Sequence, residues 1–260
     1  MIRFAANLTM MFTEWSFLDR FEAAAEAGFE AVEFLFPYEF PPEAIERRLR
    51  AYDLELALFN LPPGDWMAGE RGIAALPARF EEFRSGVDKA LDYAQATGVR
   101  SLHMMAGLAD PCDADATSSY ARALDFAASK LANQGFNLLL EPINGRSMPG
   151  YFLNDFARAA SLIEELDQPN VKLQFDVFHR QIMHGDISES FRRLQPIIGH
   201  VQVAGVPARH EPDTGEVNYR HFFRQLETSN YSGFVGCEYQ PAGSTTAGLG
   251  WFAPYRGRRQ

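Results

Sequence analysis

Along the chain, apolar and polar positions follow two periods that alternate with each other. Short runs rich in Val, Ile, Leu, Phe and Ala predict strands at residues 2–7, 30–36, 54–60, 99–106, 136–143, 171–179, 198–205 and 233–239. Between and after them, patterns of helical period predict helices at 15–27, 42–51, 79–97, 116–134, 154–166, 187–194, 219–227 and 245–252. The first helix places Phe17, Leu18, Phe21 and Ala25 on one stripe, and Gly28 stops it. Pro41 and Pro42 open the second. Eight strand–helix repeats in 260 residues predict an α/β fold, a single-domain (β/α)8 TIM barrel over residues 1–260. A doubly wound open sheet would carry a Gly-rich phosphate turn after its first strand, and residues 7–13 contain no glycine. The connection at 61–77 is long and rich in Gly and Pro, which suits either a lid over a site or an ordered surface loop.

The phase of the later strands puts polar side chains on the barrel axis. Lys172, Gln174 and Asp176 share one face and Leu173, Phe175 and Val177 the other; His200 and Gln202 oppose Val201 and Val203. Near the C-terminal ends of four consecutive strands stand Glu141, Asp176, Gln202 and Glu238, separated by 35, 26 and 36 residues. An interval of that size holds one βα unit, so the four side chains converge on the face where barrel enzymes carry their chemistry. One acid at a strand end is usually a cap or a solvated loop residue, whereas four in matching phase point to a divalent metal site. The all-oxygen set favours Mg²⁺ or Mn²⁺ over zinc.

Such a site suits proton transfer at carbon beside a carbonyl. A metal holds the carbonyl and hydroxyl oxygens and stabilises an enediolate, Glu141 and Glu238 act as base and acid, and Asp176 and Gln202 are mainly ligands. His179 is placed to hydrogen-bond a substrate oxygen, with a satisfied loop histidine as the plainer reading. Arg209 and His210 are placed to hold a substrate carboxylate, with surface charge as the alternative. His103 and His200 are expected as hydrogen-bonded core, and His184 and His221 at the surface. Glu33, Asn7 and Asn60 also end strands and are secondary candidates for the pocket wall.

Charge and cysteine content narrow the partners. Net charge is −10, and the one basic run is the tail at 256–259, which weighs against nucleic acid. Two cysteines without a CxxC suggest a reduced, cytoplasmic protein, and no apolar run approaches a membrane span. The N-terminus reads as a strand rather than a signal peptide. A homo-oligomer is compatible with all of this.

Several segments, in order along nearly the whole chain, resemble the hydroxypyruvate isomerase family within the xylose isomerase-like barrels. They are RFAANLTMMFTE (3–14), AVEFLFPYEF (31–40), FNLPPGDWMAGERGIAALP (59–77), LLEPIN (139–144), QFDVFHRQ (174–181), GHVQVAGVPARHEPDTGEVNY (199–219) and GCEYQP (236–241). LALFNLPPGDW, LHMMAGL and GLGWF look closer to its 2-oxo-tetronate isomerase branch. The resemblance implies Glu141 and Glu238 as proton donor and acceptor, and a divalent metal on Glu141, Asp176, Gln202 and Glu238. Gln202 stands where related ketose epimerases carry histidine, which weighs against a free-sugar epimerase and leaves metal dependence open. The expected activity is isomerisation of a small hydroxy-oxo acid, 2-oxo-tetronate to 3-oxo-tetronate or hydroxypyruvate to tartronate semialdehyde. A metal-dependent nuclease and a non-catalytic sugar-acid binder are the alternatives.

Overall fold

Every expected strand forms, and each is shorter than the sequence pattern suggests. The computed structural model describes residues 2–256, so of the basic tail only Arg256 lies within the described residues. The strands are β1 (Arg3–Asn7), β2 (Ala31–Glu33), β3 (Glu55–Asn60), β4 (Ser101–His103), β5 (Asn137–Leu140), β6 (Val171–Asp176), β7 (Ile198–Val203) and β8 (Phe234–Cys237). They pair in parallel in chain order, and β8 closes on β1. In most strands the apolar run continues past the last strand residue, whereas β1 and β3 lose only their first expected residue.

The helices are α1 (Arg20–Glu26), α2 (Pro42–Ala51), α3 (Phe80–Thr97), α4 (Ala114–Ala132), α5 (Phe156–Leu166), α6 (Val177–Met183), α7 (Ile187–Leu194) and α8 (Tyr219–Thr228). The helix expected from 15 begins as a 3-10 turn, Phe17–Asp19, before α1. The last helical pattern is 3-10 rather than α, Thr246–Tyr255, with a break at Leu249 and a proline at 254. It packs aromatic rings on β1, Phe4 lying 5.3 Å from Trp251 and 5.8 Å from Phe252. Among the described residues no helix is long and apolar enough to cross a membrane.

One correction bears on the site. Residues 171–179 read as one strand, but the strand ends at Asp176 and α6 starts at the next residue. Asp176 has extended backbone angles, and its side chain accepts a hydrogen bond from the Phe178 N–H at 2.7 Å. It is therefore both the last strand residue and the helix N-cap. His179 rides on the first turn of α6 instead of a strand end.

The main apolar core fills the layer between barrel and helices, while Ala5, Ala31 and Ala57 form a small separate cluster against Phe234. Next along β1 and β2 comes a polar layer. Glu33 is fully buried and accepts from Asn7 Nδ2 at 3.0 Å and Gln202 Nε2 at 2.8 Å, with His200 Nε2 at 2.7 Å. A β-carbon at Gly236 would collide with the Glu33 carboxylate, so glycine on β8 makes room for this acid.

The 61–77 connection is pinned along β4. Leu61 N–H donates to the His103 carbonyl at 2.9 Å and Ala75 N–H to the Ala106 carbonyl at 2.8 Å. Gly72, at φ 102°, bridges to Ala106 and passes so close to the Met105 carbonyl that no side chain fits. Only the middle of the segment stands out, with Met67 92% exposed.

Candidate active site

Strand ends deliver the acids. Glu141 follows β5 directly, Asp176 ends β6 and Glu238 follows β8, all at the carboxyl end of the barrel. All three are buried, at 4%, 1% and 7% exposure, so none is an ordinary solvated acid. Beside them lie His103 at the end of β4, His179 on α6 and Arg209 in the loop after β7.

Among the described residues, Arg209 is the one Lys or Arg in direct contact with the cluster. Its Nη2 lies 2.5 Å from Glu238 Oε2 and 3.6 Å from Asp176 Oδ2, and its Nε donates to the Glu238 carbonyl at 3.3 Å. Its Nη1, with two further N–H groups, is not used by these contacts. The residue sits in the left-handed region at φ 58°, a conformation that costs a non-glycine residue on the order of 1 kcal/mol. Two backbone bonds hold it there, from Arg209 N–H to the Gly205 carbonyl at 2.7 Å and from Gln240 N–H to the Arg209 carbonyl at 2.9 Å.

His179 Nε2 faces Asp176 Oδ2 at 3.4 Å and Glu141 Oε1 at 3.7 Å. On the other side of the ring, Nδ1 meets the Asn144 N–H at 3.3 Å and the Asn144 Nδ2 at 2.6 Å. His103 Nδ1 approaches Glu141 Oε2 at 3.7 Å, and neither ring nitrogen of His103 has a hydrogen-bond partner. That corrects the expectation of a hydrogen-bonded core histidine; His200, bonded to Glu33, does fit it.

Burial dominates the protonation of the cluster. It pushes Glu141 well above the usual carboxylate range, with repulsion from Glu238 and Asp176 adding to it. Burial lifts Asp176 to about 6 and Glu238 to about 8, and Arg209 opposes both shifts. The same desolvation drives His179 well below its ordinary value and His103 down to about 3, so both imidazoles are neutral.

The residues fit a divalent cation. Glu141 Oε1 and Asp176 Oδ2 are buried without a hydrogen-bond partner, an arrangement that folded proteins rarely leave uncompensated. With a ring nitrogen of His179 they form a group whose candidate ligand atoms all lie within 4.8 Å of one another. A cation there would reverse the upward shifts of the acids.

The other expected positions differ in what surrounds them. Gln202 pairs with Asp176 in the β6–β7 register, but both ends of its amide are engaged. Nε2 donates to Glu33 and Oε1 accepts from Gln174 Nε2 at 2.6 Å. His210 turns away from the acids, its Nδ1 lying 2.8 Å from the Gln240 carbonyl. Two site residues escaped the sequence reading: Asn144, which looked like part of a loop, and His103, which looked like core. The sequence signal for Asn144 is the Asn-Gly pair two residues before Ser147, a turn signature that says nothing of what the amide touches.

Known proteins resemble this chain over its full length. A protein of Cupriavidus necator named 2-oxo-tetronate isomerase is 52% identical over 261 residues, covering 99% of this chain and 100% of its own. The Escherichia coli protein named hydroxypyruvate isomerase is 44% identical, covering 98% and 100%. A solved structure from Brucella melitensis, named AP endonuclease, family 2, superposes with a TM-score of 0.97 at 50% identity, covering 99% and 100%. Residues 21–255 match the family described as xylose isomerase-like TIM barrel. With a closed eight-stranded barrel and acids at its strand ends, the chain belongs to that xylose isomerase-like TIM barrel family.

Proposed function

We propose that the protein is an isomerase that moves a carbonyl between neighbouring carbons of a small hydroxy-oxo acid, with 2-oxo-tetronate as the substrate and hydroxypyruvate as the shorter alternative. The observation that carries this reading is the buried pair Glu141 and Glu238, both pushed above the usual carboxylate range chiefly by burial, with repulsion from neighbouring acids adding to it. Buried carboxyls whose proton affinity is raised by desolvation and tuned by neighbouring charges suit the paired acid and base roles that such a transfer needs. The names of the relatives at 52% and 44% identity support the same reaction class.

In this proposal one carboxylate of the pair takes the proton from C3 of 2-oxo-tetronate. The C–H electron pair becomes the C2–C3 double bond, and the C2 oxygen gains the charge. The other carboxyl returns a proton to C2, the C3 hydroxyl proton passes to the charged C2 oxygen, and C3 becomes the carbonyl of 3-oxo-tetronate. His179 Nε2 lies beside both Asp176 and Glu141, in position to hydrogen-bond the charged oxygen. Arg209, part-exposed at 23% of its side chain, offers its unused Nη1 to the substrate carboxylate. Glu141 and Asp176 would hold the divalent cation, Mg²⁺ or Mn²⁺ by the chemistry of oxygen ligands, and such an ion supplies Lewis-acid charge to substrate oxygens.

The name of the Brucella melitensis structure favours a second reading, a nuclease. The −10 charge and the acid-rich site suit a small acid held by one arginine better than a polyanion.

Proton NMR in D₂O with Mg²⁺ or Mn²⁺ tests the isomerase. Each acid is supplied in parallel, and deuterium is expected at the reacting carbon together with new carbonyl product. Glu141→Gln and Glu238→Gln should each slow both signals by about 10²–10⁴-fold. Absence of exchange with both acids in the unmodified protein rejects the proton-transfer reading and leaves a binding protein.

A further inference from the structure

Asn144 touches no acid of the site, yet its two ends are fully specified. Its Oδ1 accepts from the Arg146 N–H at 3.0 Å and the Ser147 N–H at 2.8 Å. Exchanging the amide's oxygen and nitrogen would set an NH₂ against two N–H donors, so the amide orientation is fixed by these bonds. Nδ2 is therefore the atom 2.6 Å from His179 Nδ1, and the Asn144 backbone N–H points to the same nitrogen at 3.3 Å.

Two donors converging on Nδ1 require it to carry a lone pair. The opposite ring nitrogen gives the same answer independently. Nε2 faces carboxylate oxygens of Asp176 at 3.4 Å and Glu141 at 3.7 Å, where a lone pair would be repelled and an N–H is attracted. The ring is buried at 1% exposure, so no bulk water relieves a wrong choice at either end.

We infer that Asn144 is a positioning residue that holds His179 in its Nε2–H form, so that His179 enters the site as a hydrogen-bond donor and not as a cation ligand. A histidine nitrogen can ligate a metal only through a lone pair. The group Glu141, Asp176 and His179 thus divides into two carboxylates for the cation and one N–H for a substrate oxygen. The part that concerns substrate rests on the isomerase reading; the ring's proton position does not.

The test is long-range ¹H–¹⁵N correlation NMR of ring-labelled histidine in the full chain, with His179 identified by the signal lost in His179→Gln. The expected spectrum has Nε2 protonated and Nδ1 bare, unchanged when Mg²⁺ alone is added. A protonated Nδ1, or loss of the Nε2 proton on adding Mg²⁺, overturns the inference without any variant. Asn144→Asp keeps an oxygen for Arg146 and Ser147 but presents an acceptor to Nδ1. It should move a proton onto Nδ1, and a bare Nδ1 in that variant also overturns the inference. If the isomerase reading holds, Asn144→Asp lowers kcat about 10²-fold with KM changed less than about threefold, the split expected of an interaction made in the transition state. An unchanged kcat alongside the expected spectrum would reject only the substrate role of His179.

Discussion

Glu141, Asp176 and Glu238 place three acids where water does not reach, and that has a thermodynamic signature. Asp176 rises from 3.8 to about 6 and Glu238 from 4.5 to about 8, both mainly through burial. An acid whose folded pKa is raised binds its proton more tightly folded than unfolded. Its contribution to stability is therefore greatest below the unfolded value and is lost as pH climbs to the folded one, here from about 4 to about 8. With a chelator present, the melting temperature should fall across that window. Glu141→Gln removes an acid held well above its ordinary range by burial, so it should flatten the fall and raise stability at about pH 8. Mg²⁺ should recover stability in the unmodified protein and much less in the variant. Calorimetry across pH checks this, and identical curves for the two proteins would remove the carboxyl cluster as a source of instability.

At the level of elements, the β6–α6 junction does the work that loops do elsewhere in the barrel. Asp176 leaves the sheet and caps α6 with no connecting residue, which puts His179 one helical turn from the acid. Asp176→Asn keeps the acceptor for Phe178 N–H, whereas Asp176→Ala loses it. In urea melts the alanine variant should be about 1 kcal/mol less stable than the asparagine variant. Equal stability of the two would show that the carboxylate contributes charge and no cap. This junction is also where the sequence is hardest to read. Val177 extends the apolar alternation of the strand, Phe178 keeps the run apolar, and neither Gly nor Pro marks its end, so the helix start is written only in Asp176 itself. The strand ends of Glu141, Asp176 and Glu238 were legible because short apolar runs end near them at intervals that hold one or two βα units, and the barrel because eight units repeat. The unpartnered ring of His103 and the grip of Asn144 on His179 were not, since both depend on atoms brought together from distant segments.

For the whole molecule, net charge weighs on the choice between a small acid and a nucleic acid. At −10 the long-range field repels a phosphate backbone, and a single arginine in the site cannot offset it beyond a Debye length, about 8 Å in physiological salt. Incubation with abasic duplex DNA and Mg²⁺, Mn²⁺ or Zn²⁺ should yield no nicks above the metal-only control. Nicking that disappears in Glu141→Gln would overturn the small-acid reading.

The polar layer of Glu33, His200, Gln202 and Asn7, with the alanines of β1, β2 and β3 beyond it, makes a closed floor under the acids. The barrel is then a cup and not a tube. If the isomerase reading holds, reactant and product share one doorway in opposite directions, and a turnover ends only when the rearranged acid has let go of the guanidinium that welcomed it in.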